Sequence, residues 1–363
     1  SNLDRLGGHL KPAVYSRLPD FIAKYGAETA AEYAEFEYKH VDVIAEVIKK
    51  ENIWCEFEIV RAFDLYLDPE QAIKAKNSID DLIWTDEDRA EEVSGFRGCV
   101  GCFSSRAATP WPYKLFMGIL NKAVSQGLNL QTNTLATSIT STPSNGTPTW
   151  TATTQRGTIS ASKIIIATNG YTSALLPEYK NKIVPARGIA SHIVLPKGAS
   201  APRLPGSYGI RIPGAIDYLN QRPDGSIVVG GARTTFYATD SHWKNIADDS
   251  ALIEPAAHYF DTYMQRHFTG WEESGAIVES IWTGIMGYNS DALPSVGEVP
   301  GRDGCYIAAG FEGHGMPVIW LVMKGISEMV RYGKSTEETA VPSILKTTEE
   351  RLKSTENRLA SKE

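Results

Sequence analysis

GCYIAAGFEGHGMP, residues 304–317, decides how this chain folds. Its first half reads as a strand, Gly310, Gly313 and Gly315 around His314 read as a turn, and the apolar run after it predicts a helix over 318–330. Such a turn exposes successive backbone N–H groups at a helix N-terminus, which suits a ligand carrying negative charge. It equally suits a tight turn with no ligand. IIIATNG, residues 164–170, is a second strand that ends in small residues, where a backbone can pass close to a ligand. No GxGxxG occurs anywhere in the chain.

Upstream of these stretches, apolar residues at helical spacing over 27–50 predict a long amphipathic helix. Weak alternation over 56–67 predicts strand, a charged helical pattern covers 68–89, and 99–103 reads as a short strand. Trp111-Pro112-Tyr113 opens a helix that ends near Gly127. Residues 130–166, rich in Thr, Ile and Val, read as a β-meander running into a buried strand, with turns at 144–146 and 155–157. Beyond Pro185, strands at 216–219 and 226–229 point to an antiparallel sheet. A helix is expected over 251–268 and a strand over 277–282, followed after Gly333 by a charged tail with a short helix from Pro342.

With 363 residues the chain is long enough for two domains or one with an inserted lobe. A net charge of −7 without any basic run argues against nucleic acid and anionic membrane surfaces as partners. The longest apolar runs are too short to cross a bilayer, and the first residues carry no signal or transit pattern, so a cytoplasmic location is expected. Asn145-Gly146-Thr147 fits a glycosylation sequon and equally a plain turn. Cys99 and Cys102 form a CxxC, either a redox pair or half a zinc site; no second pair completes a metal site, so no metal is expected. Two small residues packing in a glycine-rich strand account for the same spacing.

Taken in order, GGHLKP at Gly7, WPYKL at Trp111, IIIATNGYTSALLP at Ile164, VPARG at Val184, QRPDGSIVVGGAR at Gln221, WTGIMGYNSDALPSVGEVPG at Trp282 and GCYIAAGFEGHGMP at Gly304 resemble the D-amino-acid-oxidase-like family of FAD-dependent oxidoreductases. The pattern is most similar to the γ-glutamylputrescine-oxidase-like branch. The resemblance implies an α/β fold with a Rossmann-like FAD lobe (1–20, 98–185 and 286–345), a substrate lobe roofed by an antiparallel sheet (21–97 and 186–285) and a charged tail (346–363). It implies noncovalent FAD held by Gly7, Gly8, His9, Ala136, Ala167, Thr168, Asn169, Gly170, Gly310, Gly313, His314, Gly315 and Met316. His9, Tyr288 and His314 are the catalytic candidates, and Arg233, Trp282, Met286 and Tyr288 the substrate-pocket candidates. The expected partner is a small amine.

Two departures from the family pattern stand out. The family's GxGxxG unit, which binds pyrophosphate, precedes the Gly-Gly loop, and only six residues precede Gly7 here. Loss of that unit would expose sheet edges that a rearrangement or a homo-oligomer would cover. The family's carboxylate-gripping arginine falls at Met286, which favours a larger or less charged amine. Arg187 and Arg233 read first as salt bridges between lobes, and Trp282 and Tyr288 as packing aromatics or substrate walls. The resemblance implies amine oxidation by hydride transfer to flavin; the alternative is a flavin-free descendant acting as an isomerase, a cyclase or a small-molecule-binding protein.

Overall fold

The computed structural model describes residues 7–77, 83–143 and 148–360. The turn expected at 144–146 and the sequon at Asn145 lie outside them. After the Gly7–Gly8 segment come helices α1 (Val14–Tyr25) and α2 (Ala27–Glu51), separated by Gly26 at φ 85. Sequence reading missed α1, because Pro19 sits inside it and signals a break. α2 stands where the 27–50 periodicity put it and stops at Asn52, whose left-handed backbone returns its N–H to Ile48 and Lys49. The charged stretch 68–89 divides into α3 (Pro69–Lys76), β2 (Ile83–Asp86) and the start of α4 (Glu87–Ser94), after β1 (Glu58–Tyr66). Asp68 caps α3 by accepting from the amides of Glu70 and Gln71.

β3 (Gly101–Thr109) is longer than the sequence suggested, because it pairs along its whole length with β1. α5 (Pro112–Ser125) follows, then the meander β4 (Ala136–Thr142), β5 (Thr149–Thr154) and β6 (Gly157–Ala161). β7 (Ile164–Ile166) leaves the meander. Its expected burial holds only for Ile166, at 3% exposure; Ile165 is 42% exposed.

The rest of the large sheet comes from β8 (Ile183–Val194), β9 (Gly206–Ile212), β10 (Ala215–Gln221), β11 (Ile227–Gly230) and β12 (Ile277–Asn289). Eight strands run in the order β12-β8-β11-β10-β9-β1-β3-β2. The sheet is antiparallel, as expected, except where β1 and β9 run parallel. Residues 251–268 are not one helix. Pro255 and the left-handed Thr262 at φ 52 break the segment, leaving short turns and α7 (Tyr263–His267), after α6 (Arg233–Phe236). These turns cover one face of the sheet, where Phe63, Leu65, Tyr208, Ile210, Leu219 and Val229 pack against Phe260, Met264, Phe268 and Trp271. Because strand side chains alternate, Asp64, Ser207, Gly209, Tyr218 and Asn220 project to the opposite face.

β13 (Ser295–Glu298) and β14 (Cys305–Ala309) complete a small sheet in which β14 lies between β13 and β7, parallel to β7. α8 (Ile319–Tyr332) follows and packs its Leu321, Val322, Ile326 and Met329 into the cluster holding Tyr33 and Phe36 of α2; the tail carries α9 (Glu349–Lys353). The α/β architecture with a large, mostly antiparallel sheet is the one the sequence led us to expect. No described helix is long and apolar enough to cross a membrane.

Candidate functional site

The Gly7–Lys11 segment lies against the polar face of the large sheet. Leu10 exchanges both backbone hydrogen bonds with Ala108 of β3 at 2.9 Å, Asn220 of β10 donates to the Gly7 carbonyl, and Lys11 pairs with Asp64 of β1. Glycine is required here for space as well as conformation. A Cβ on Gly8 (φ 71) would stand 2.4 Å from the Pro110 carbonyl oxygen, and one on Gly7 would stand 2.7 Å from the Tyr218 ring. His9 forms a 2.9 Å hydrogen bond between Nε2 and Ser207 Oγ. Burial, then the nearby Lys11 and His314, holds its imidazole well below the ordinary value of 6.5, so His9 is neutral at pH 7.

The glycine loop after β14 comes near this segment: His314 lies close enough to His9 to act on its charge, and Glu37 meets both His314 and the Ala13 amide. Asn169, itself at φ 45, accepts at Oδ1 from the amides of Gly310 (3.0 Å) and Phe311 (3.2 Å), which brings Ala167, Thr168, Asn169 and Gly170 against the loop. The Glu312 amide donates to Gly287 and that of His314 to Phe311. The amides of Gly313, Gly315 and Met316 have no acceptor among the described residues. Among the described residues the loop therefore offers three donors without acceptors, fewer than the uninterrupted row its composition suggests. A Cβ on Gly313 (φ 70) would stand 2.7 Å from Met286 Sδ, so the loop backbone lies directly on β12.

α2 fixes this loop through two polar residues on its buried stripe, neither of which sequence reading singled out. Glu37, 1% exposed, meets His314 Nε2 at 3.0 Å and also accepts from the Ala13 amide. His40 accepts at Nε2 from the Leu321 amide in the first turn of α8 and donates from Nδ1 to Phe36 O. That pair of bonds fixes the neutral tautomer, and burial lowers its pKa accordingly. The signal was present: Glu37 and His40 interrupt an apolar helical stripe.

Three buried or half-buried histidines are thus held neutral by burial: His9, His40 and His267, the last brought down to about 4. In the unfolded chain each takes up a proton near 6.5. Their contribution is complete above that pH and is lost as pH falls toward the folded values, each by up to about 1.4 kcal/mol per pH unit. Urea unfolding is expected to give a lower midpoint at about pH 5.5 than at about pH 7.5, with an unchanged m value.

Arg233 and Tyr288 meet at the end of β11 and β12. Arg233 donates to the Tyr288 hydroxyl, and its guanidinium lies 5.2 Å from the Tyr237 ring centre. Its place is set by the preceding corner: Ala232 is left-handed at φ 56, and its amide donates to Asp217 Oδ1 at 2.8 Å. Asp217, fully buried, also accepts from Tyr259 (2.6 Å) and Tyr263 (3.0 Å). The salt bridges expected for Arg187 and Arg233 are not present: neither meets a carboxylate among the described residues, and Arg187 instead donates to the carbonyls of His242 and Ala251. Asp217, Tyr218 and Tyr237 went unnoticed in the sequence, although a charge inside the strand IDYLNQ marks the first.

A cavity of about 240 Å³ opens beside Gly7 and Gly8, walled by Trp111, Trp282, Asn220 and Arg222. Trp282 therefore lines space, whereas Met286 and Tyr288 stand beside the Gly313 loop. Ala136 stands apart, at the start of β4 opposite Thr154. A larger groove of about 710 Å³ along β1 and β9 holds Arg61, Arg106 and Arg203, already engaged by Ser104, Asp42 and Glu58. No group of metal-binding side chains exists among the described residues, and Cys99 and Cys102 are buried free thiols.

Two glycine-rich segments, Gly7–Gly8 and Gly310–Gly315, thus lie against the large sheet, the first beside Tyr218 and the second beside Met286 and Tyr288. The chain belongs to the DAO family of FAD-dependent oxidoreductases, whose model matches residues 4–329. Glycine oxidase from Geobacillus kaustophilus shares the fold at a TM-score of 0.75, with 16% identity over 96% of this chain and 88% of that one. Iminodiacetate oxidase from Chelativorans sp. BNC1 does so at 0.66 (15% identity, 92% and 87% covered), and L-proline dehydrogenase from P. horikoshii at 0.64 (17%, 83% and 79%). No curated protein matches the chain significantly. The amides of Gly313, Gly315 and Met316, without acceptors among the described residues, are donors of the kind that an anionic part of FAD would take. A glycine-rich turn for its pyrophosphate is not found among the described residues.

Proposed function

We propose that this chain oxidises the carbon–nitrogen bond of a small amine or amino acid, with noncovalently held FAD as acceptor. The observation that carries the reading is that Gly7 lies against Tyr218 and Gly313 against Met286 and Tyr288, all three on the large sheet. The names of the structural neighbours, glycine oxidase and iminodiacetate oxidase, agree with it. Bound FAD would supply a hydride acceptor, and the amides of Gly313, Gly315 and Met316 would help to hold it.

The protein's own residues do the rest. An amine loses hydride only from its unprotonated form, and His9, kept neutral by burial and fixed by Ser207, adds no positive charge beside it and so favours that form. His314, anchored by Glu37, holds the loop in place. Met286 and Tyr288 wall the reacting carbon off from water. The substrate imine then hydrolyses to a carbonyl compound. Under anaerobic conditions the FAD-loaded protein is expected to bleach when an oxidisable amine is added and to release a carbonyl product that can be trapped as a hydrazone. Bound flavin that no amine bleaches would overturn the reading.

A further inference from the structure

Two thiols away from the flavin loops are held in contact. Cys102, in β3, stands between Leu65 of β1 and Thr85 of β2, and Cys99 lies just before it, in the turn that leads out of α4. Both belong to the same buried cluster, and the Cys102 thiol donates a hydrogen bond to the Cys99 sulfur. The backbone fixes that contact. The Cys99 amide donates to Phe96 and the Val100 amide to Tyr66, and the Gly95–Gly98 turn is tied to the 267–269 segment through the Arg97 and Thr269 amides. Gly101, between the cysteines, lies under the Trp84 ring, which a Cβ there would meet at 2.4 Å. The hydrogen bond lowers the Cys99 pKa and raises that of Cys102, so the two sulfurs differ in reactivity. They differ in access as well: Cys99 is 3% exposed and follows the exposed Gly98, whereas Cys102 is fully covered. Cys55 and Cys305 sit singly in two other clusters, and burial pushes each of them up to about 11.

We propose that Cys99 and Cys102 form a dithiol that hydroperoxide oxidises to a disulfide, with Cys99 as the attacking thiol and Cys102 as the resolving one. The inference does not rest on the amine-oxidation reading; of the readings open for the CxxC it takes the redox pair. The Cys99 thiolate attacks one oxygen of hydrogen peroxide, the O–O bond breaks, and the hydroxide released becomes water with the proton that Cys99 gave up. Oxidation of Cys99 to the sulfenic acid removes the thiolate that kept Cys102 protonated. Cys102 then attacks the Cys99 sulfur: the S–S bond forms, the S–O bond breaks, and a second water leaves with the Cys102 proton. Both thiols are oxidised, and one peroxide is reduced to two waters. The disulfide closes only the Cys99-Val100-Gly101-Cys102 loop, so it removes little chain entropy and acts as a reactive site more than as a staple.

The test is addition of dilute hydrogen peroxide to the purified protein without any amine, followed by differential alkylation and peptide mass spectrometry. The Cys99–Cys102 disulfide is expected to form at least about 10-fold faster than Cys55 or Cys305 is oxidised, and a thiol reductant is expected to reverse it. In Cys102→Ser, dimedone should trap a sulfenic acid at Cys99. In Cys99→Ser, Cys102 should stay reduced. Circular dichroism checks the fold of both variants, and the selectivity among the four wild-type thiols decides alone if neither variant folds. Equal oxidation of all four thiols overturns the proposal, as do a Cys99–Cys102 pair that peroxide leaves reduced and sulfinic acid at Cys99 without a disulfide. A sulfenic acid trapped at Cys102 in Cys99→Ser, with none at Cys99 in Cys102→Ser, overturns it too.

Discussion

Gly8→Ala is expected to abolish flavin retention while leaving the protein folded. Its Cβ would stand 2.4 Å from the Pro110 carbonyl oxygen and 3.3 Å from Pro112 Cδ, a backbone atom and a rigid ring that cannot turn aside. The φ of 71 adds about 1–2 kcal/mol of strain for any L side chain. The loop cannot relieve both by sliding, because Leu10 is bonded in both directions to Ala108 two residues on. It must move away from the site, and a displacement of about 1 Å is enough to cost about 100-fold where a ring must be seated accurately. Stability should fall by about 1–3 kcal/mol, since the loop packs on the small cluster around Leu10 and not on the main one. FAD titration followed by visible absorbance, beside a thermal melt, separates the two effects. Wild-type affinity in Gly8→Ala would show that this loop does not face the ring.

Asp217→Ala is expected to cost about 3 kcal/mol or more, because it orphans a buried amide and two tyrosine hydroxyls at once. It also frees the corner behind Arg233: Gly231, at φ 132, has room for no Cβ because Asp217 Oδ1 would lie 2.1 Å away, so corner and carboxylate are packed as one unit. Asp217→Asn should be much milder. Burial raises the Asp217 pKa, so its ionised form is disfavoured in the fold, and a neutral amide retains an oxygen for Ala232 while the hydroxyls can turn to accept. Because the folded pKa is the higher one, this penalty is present at neutral pH and shrinks as pH falls through it. Urea unfolding of the three proteins checks the order: wild type and Asp217→Asn close together, Asp217→Ala well below. Equal losses for both variants would mean that charge, not hydrogen bonding, holds the corner.

Much of this was legible from local signals. The 304–317 stretch became β14, a loop and α8, and α2 lay where its apolar period placed it, because strand, turn and helix each carry their signal within a few residues. What escaped depended on partners distant in sequence. β1 and β9 pair in parallel because the chain returns there after a long excursion, and residues 251–268 form turns because they cap a sheet. The same holds for the site. Gly7, Gly8, Gly310 and Gly313 announce themselves by type, but the Glu37–His314 pair links residues 277 positions apart, and the Arg233–Tyr288 contact likewise joins segments distant in sequence. The CxxC lies apart from that site: Cys99 and Cys102 are buried at the start of β3.

The central claim is that the Gly7–Gly8 and Gly313–Met316 backbones form the ring end of a working FAD site in this chain. Titrating the purified protein with FAD, while following flavin visible absorbance and protein fluorescence, tests it most directly. The account predicts saturable binding with one flavin per chain and a spectrum shifted from that of free FAD. Flavin that stays spectrally free, with unquenched protein fluorescence at saturating concentration, would contradict it.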